Sequence, residues 1–240
     1  MKNHQTFSSL AAILLLFSAC KSGLVTMSNN CYDLIKEGQT QNKSGNYSTA
    51  LDNFNKVLQK CDAYDAKEKA YAGQAAALNG LHQYNDALNA AGHGLDINKS
   101  SLDNLFEKAE AEYSLGQTTA ARADLNTIIT LTGKNQNIAQ RATIYARIAD
   151  VDTRQQQYDL ALQNIQQAIS MDNANPNFYK QKTTTIVKMY QTKYKTDDAG
   201  TLSKKISTAD RQTLCNSIGE STQHGVQDMS LDLVKLSVCK

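Results

Sequence analysis

Apolar residues recur along this chain at helical spacing, and one short pattern returns four times: Gly45-Asn46-Tyr47-Ser48-Thr49-Ala50, Tyr84-Asn85-Asp86-Ala87, Gly116-Gln117-Thr118-Thr119-Ala120-Ala121 and Tyr158-Asp159-Leu160-Ala161. The four alanines stand 37, 34 and 40 residues apart, and a period near 34 marks stacked helical hairpins. Four places after each alanine comes an apolar residue, Phe54, Ala91, Leu125 or Ile165, often followed three places on by another, Val57, Ile128 or Ala168. That is one buried stripe of a helix. The repeat is therefore one helix pair, and the fold predicted is all-α.

A further helix starts at Asn175-Pro176, because asparagine caps a helix and proline is tolerated at its first position. Tyr179, Thr183, Ile186 and Tyr190 mark one face of it. The pattern stops near Lys195, and Thr196-Asp197-Asp198-Ala199-Gly200 reads as a loop. Ser207-Thr208-Ala209-Asp210 resembles a capping box opening a helix to about His224, which Gly225 stops. The last segment, Met229 to Cys239, carries apolar residues on two stripes. With no second strand to pair with, helix is the expectation there.

Residues 31–195 resemble the tetratricopeptide repeat family, whose unit has small residues at positions 8 and 20, glycine and a large aromatic at 15 and 17, and apolar residues at 24 and 27. In a first unit, 31–64, Gly38, Gly45, Tyr47, Ala50, Phe54 and Val57 fill these places. A second, 68–101, offers Tyr71, Ala75, Tyr84, Ala87 and Ala91; a third, 102–135, has Leu105, Ala109, Gly116, Ala121, Leu125 and Ile128; a fourth, 142–175, has Tyr145, Ile148, Ala149, Tyr158, Ala161, Ile165 and Ala168. Extra residues separate units one and two and units three and four. The resemblance implies a right-handed α-solenoid of four to five hairpins, with 196–240 as a C-terminal helical hairpin.

The N-terminus has a different character. Lys2 precedes an apolar run, Leu10 to Phe17, too short to span a bilayer, which reads as a signal peptide over 1–19. Ser18-Ala19-Cys20 resembles the end of a bacterial lipobox, so Cys20 is the expected acylated residue, with Phe17 departing from the usual leucine. Residues 20–30 then form a tether of at most about 35 Å. Resemblance to Gram-negative lipoproteins implies outer-membrane sorting, since Lys21 follows the cysteine where inner-membrane retention uses aspartate. A periplasm-facing anchor is expected, with the cell surface as the alternative. The formal net charge is +2 with no block of like charge, which argues against nucleic-acid binding by bulk electrostatics.

Export would permit disulfides among the four other cysteines. Antiparallel helices bring residues equidistant from their turn side by side. Cys31 and Cys61 each lie 15 residues from Asn46, and Cys215 and Cys239 each lie 12 from Gln227. Those are the expected pairs, four free thiols being the alternative. No cysteine or histidine has metal-ligand spacing, and no cofactor or metal is expected.

Catalytic patterns do not assemble. Gly219-Glu220-Ser221-Thr222-Gln223 lacks the second glycine of a nucleophile elbow, and Gly133-Lys134-Asn135 lacks most of a phosphate loop. His82, His93 and His224 have no motif partner. Glu107, Glu110 and Glu112 could suggest a carboxylate pair, since Glu107 and Glu110 share a helix face, but solvated helix charge is the expectation for them.

A binding surface remains. In proteins similar to this one, positions 2, 5, 9, 12 and 13 of each first helix line a concave groove. Carried over, these select Phe106, Glu110 and Tyr113, then Asp150, Thr153 and Arg154, then Lys180, Thr184 and Lys188. Aromatic anchors between acidic and basic flanks suit an extended peptide. The implied function is a lipid-anchored, non-catalytic scaffold binding a protein or peptide partner in the envelope, of the kind that assists assembly or secretion. A glycan- or nutrient-binding lipoprotein of an uptake system is the alternative.

Overall fold

The computed structural model describes residues 29–133 and 138–240. The expected signal peptide 1–19, the acylated Cys20 and nearly all of the tether 20–30 lie outside the described residues. Among the described residues there are helices and no strands. Four antiparallel pairs come first: α1 (Asn29–Lys43) with α2 (Tyr47–Lys60), α3 (Tyr64–Gly80) with α4 (Tyr84–Ile97), α5 (Leu102–Ser114) with α6 (Thr118–Thr132), and α7 (Ile138–Arg154) with α8 (Tyr158–Met171). α9 (Pro176–Tyr194), α10 (Ala199–Lys205), α11 (Thr208–Gln223) and α12 (Met229–Val238) follow. α1 starts two residues inside the expected tether, at Asn29.

One closure makes all four hairpins. Gly45, His82, Gly116 and Gln156 have positive φ, and the amide of the next residue donates to a carbonyl five residues back: Asn46 to Gln41, Gln83 to Leu78, Gln117 to Glu112, Gln157 to Asp152, at 2.8–2.9 Å. This closure satisfies orphan carbonyls at a helix end and reverses the chain. Two of the four turns hold a non-glycine residue in the left-handed region, so glycine marks the turn in only half the repeats.

Small residues set how closely the helices approach. Ala50, Ala87, Ala121 and Ala161 are fully buried, as are Phe54, Ala91, Leu125 and Ile165 four places on. The Phe54 ring is wedged between pairs: a Cβ added at Gly38 would lie 2.7 Å from its Cζ, and one at Gly73 only 2.1 Å away. The core is correspondingly a series of clusters, each joining neighbouring elements.

The C-terminal region departs from the expected boundary at 195/196. α9 packs most extensively on α11, and one apolar cluster runs through Ile186 and Tyr190, Leu202 and Ile206, Leu214 and Ile218, and Leu231, Val234 and Val238. α11 thus completes a fifth pair with α9, while α10 and α12 cover its end. Ala199 and Gly200 of the expected loop 196–200 are helix: Asp198 accepts from the Thr201 amide at 2.7 Å and caps α10. Both cysteine pairs are bridged, Cys31 to Cys61 with Cα atoms 6.1 Å apart and Cys215 to Cys239 with Cα atoms 5.6 Å apart.

Candidate binding groove

First helices of successive pairs pack side by side, α1 on α3, α3 on α5 and α7 on α9, but α5 and α7 hardly meet through their backbones. The gap falls where the sequence has extra residues between its third and fourth units. Two cavities open on this face. Residues of α1, α3, α5 and α7 all line the first, of about 470 Å³. Helices as far as three pairs apart can share a cavity only if the first-helix face is concave.

The floor of the first cavity is small and apolar, with Ala72, Gly73 and Ala76, and its walls include Phe106 and Ile144. Lys43, Lys69, Asp103 and Glu107 add charge. Asn79 fixes Glu107 by donating to its backbone carbonyl and to its Oε2, both at 2.9 Å. Burial pushes the Glu107 carboxyl up to about 7, opposed by the Asn79 hydrogen bond and reinforced by Glu110 and Asp103. The expectation of solvated helix charge is therefore overturned: Glu107 and Glu110 are largely withdrawn from water, and Glu112 is buried with Lys108 Nζ 2.9 Å from its Oε1.

The second cavity, of about 410 Å³, is lined by Tyr84, Tyr113, Ser114, Asp150, Thr153, Arg154 and Lys188. Between the two cavities a polar chain crosses the α5–α7 gap. Arg147 Nε stands 2.5 Å from Glu110 Oε1, its Nη1 is 3.1 Å from Asp150 Oδ2, and Gln181 Nε2 on α9 donates to Asp150 Oδ1 at 2.6 Å. Burial raises both carboxyls, and Arg147 opposes the rise. Two guanidinium groups approach the Tyr113 ring, Arg147 at 5.5 Å and Arg154 at 4.9 Å from its centroid, and Arg154 also donates to the Tyr113 carbonyl. Cations over a ring face are attracted by its quadrupole, which adds to the hydrogen bond in fixing Arg154 beside Tyr113 in the second cavity.

Glu110, Tyr113, Asp150, Arg154 and Lys188 thus come together as one surface. Phe106 is there too, but half-buried against the core around Leu105, Leu125 and Ile144, so it is a wall and not a free anchor. Thr153 is 7% exposed and shares a hydrogen bond with Thr185 Oγ1 at 3.0 Å, tying α7 to α9. Lys180 points elsewhere, to Asp228 Oδ2 at 2.7 Å ahead of α12. Thr184 lines neither cavity.

The family positions omit Arg147, Asn79, Glu107 and Gln181. Only the i, i+3 spacings of Arg147 with Asp150 and of Glu107 with Glu110 hinted at them. Among the described residues no group of histidine, cysteine and carboxylates is arranged to hold a metal, and no helix is long and apolar enough to cross a membrane.

No family model matches the sequence, and no curated protein matches it. Solved structures do match in fold. A thermophilic TPR protein of Thermus thermophilus, TTC0263, aligns with a TM-score of 0.62 at 14% identity, over 87% of this chain and 98% of that one. MamA from Desulfovibrio magneticus RS-1, from residue 41 onward, aligns with a TM-score of 0.59 at 12% identity, over 83% and 97%. TPR-like repeats of a putative kinesin light chain from Podosopora anserina align with a TM-score of 0.58, also at 12% identity and over 83% and 97%. At such identities the likeness concerns the fold, and together with the repeated closure and the concave first-helix face it establishes that this chain folds as a tetratricopeptide-repeat α-solenoid.

Proposed function

We propose that the protein is a non-catalytic scaffold that holds an extended segment of a protein partner in the first-helix groove. The observation that carries this is the surface at the α5–α7 gap, where Tyr113 is held by two arginines and Arg154 and Lys188 stand exposed beside an apolar-floored cavity. Buried apolar floor supplies affinity, and fixed charges at one end supply direction. A photo-crosslinking residue placed at Lys188 or Thr143 should form partner adducts, while one at exposed Gln166, on second helix α8, should not. Equal adducts from all three positions would end the proposal.

The anchoring belongs to the same proposal. Ser18-Ala19-Cys20 after an apolar run supports acylation at Cys20 and attachment to the outer membrane, facing the periplasm. Each buried methylene of an acyl chain contributes about 0.8 kcal/mol, so several chains hold a protein to membrane firmly. Cys20→Ala should release the protein from the membrane fraction or leave it as precursor. Intact mass of the membrane-bound protein without acyl groups would refute the anchor.

A further inference from the structure

α12 has two apolar faces, and the fold uses only one. Leu231, Val234 and Val238 are buried against α10 and α11, whereas Met229, Leu233 and Leu236 on the opposite face are 84%, 62% and 64% exposed. Met229, Leu233 and Leu236 are spaced i, i+4, i+7, a continuous stripe. Its edges are ordered as well. One flank carries Asp232 and Lys235, both exposed and with no partner among the described residues; the other carries Ser230 and Ser237.

This pattern complements itself. A two-fold axis crossing α12 between Leu233 and Val234 reverses the helix while keeping each flank on its own side. Asp232 then meets Lys235 of the second copy, twice, and Ser230 meets Ser237. Along the stripe, Leu233 meets its own counterpart and Leu236 falls between Met229 and Leu233 opposite. One register thus satisfies the charges, the serines and the leucines together. The geometry points to α12 as an isologous, antiparallel contact between two copies of this chain. The three side chains expose about 400 Å² per copy, roughly half of what each partner buries in a standard interface. The association is accordingly reversible and concentration-dependent. It uses the end of the solenoid and leaves the groove free.

The test uses the full chain with Cys20→Ala, to remove the acyl acceptor, in sedimentation equilibrium over a wide concentration series. Wild-type mass should rise towards twice the monomer. Asp232→Lys and Lys235→Asp should each weaken association about tenfold, because two opposite-charge contacts become two like-charge contacts. An equimolar mixture of the two variants should associate like wild type, since each then supplies the charge the other lacks. Helix content by circular dichroism should match throughout, all substituted positions being exposed. A mass that stays monomeric, or variants and mixture that behave alike, would overturn the assignment. So would loss of vesicle binding, with unchanged mass, on Leu233→Asp, which would assign the stripe to a lipid surface.

Discussion

Replacing Glu107 by glutamine probes the first cavity through a property that open helix charge would not have. The carboxyl is lifted from 4.5 to about 7 by burial, with Glu110 and Asp103 adding to the rise and Asn79 and Arg147 opposing it. The folded state therefore binds a proton more tightly than the unfolded chain, and stability falls as pH rises through this window. At about 1.4 kcal/mol per pKa unit the full difference is roughly 3 kcal/mol above the folded value, and water reaching the cavity reduces it to about 1–3 kcal/mol. Glutamine keeps an oxygen to accept from Asn79 and has no charge to desolvate. Urea unfolding of both proteins across the pH range, at fixed salt, measures the difference directly. Wild type should match or exceed Glu107→Gln near about pH 5 and fall below it by about 1–3 kcal/mol near about pH 8. Parallel curves would show that Glu107 is solvated and does not form a buried wall of the cavity.

Two glycines in helices should respond oppositely to alanine. Gly92→Ala meets nothing within 4 Å and should stabilise by about 1 kcal/mol, whereas Gly73→Ala drives a methyl group into the Phe54 ring and should destabilise by about 1–3 kcal/mol, both read from thermal melts. Asp228→Ala removes the cap of α12, which accepts from the Ser230 and Leu231 amides at 2.9 and 3.2 Å, and should cost about 1–2 kcal/mol in urea unfolding. The Asp228 carboxyl is held well below the usual carboxylate range by Lys180 and the Ser230 hydroxyl. Its share of stability is therefore present above the unfolded value and lost as pH falls through the folded one. Replacing Cys215 and Cys239 together by serine opens a loop of 24 residues and should lower stability by about 3 kcal/mol, provided non-reduced peptide mapping of the parent finds that bridge.

Repeat period and packing positions were readable because burial acts on each residue through its own size. Ala50, Phe54, Ala121 and Leu125 stand where the spacing puts them. Glycine at the turn was a weaker guide, since His82 and Gln156 adopt the same left-handed conformation and the hydrogen bond, not the residue type, makes the closure. Gly73 gave no signal of its own; its role depends on a phenylalanine 19 residues earlier. The groove was partly readable. Position rules found Tyr113, Asp150 and Arg154 but not Arg147, because its contacts depend on how far α5 and α7 stand apart. The same rules misplaced Lys180, which Asp228 ahead of α12 draws away from the open face, and Thr184, which lines neither cavity. At the C-terminus, the two stripes of α12 were visible, but which one faces inward is decided by packing on α10, a helix whose first two residues, Ala199 and Gly200, fall in the expected loop.

Whether the first-helix groove holds the partner is decided by replacing Arg154 and Lys188 together by alanine. Both side chains are exposed, and the contacts of Arg154 with Tyr113 are exposed as well, so melting should change little, while hot-spot arginines contribute about 2 kcal/mol or more to a bound partner, roughly a thirtyfold loss of affinity. Affinity capture from crosslinked envelopes, with recovered proteins quantified against wild type, gives the answer. A partner captured by wild type should be lost from the double variant at a similar melting temperature; the same partners recovered in equal yield would show that the groove does not hold them.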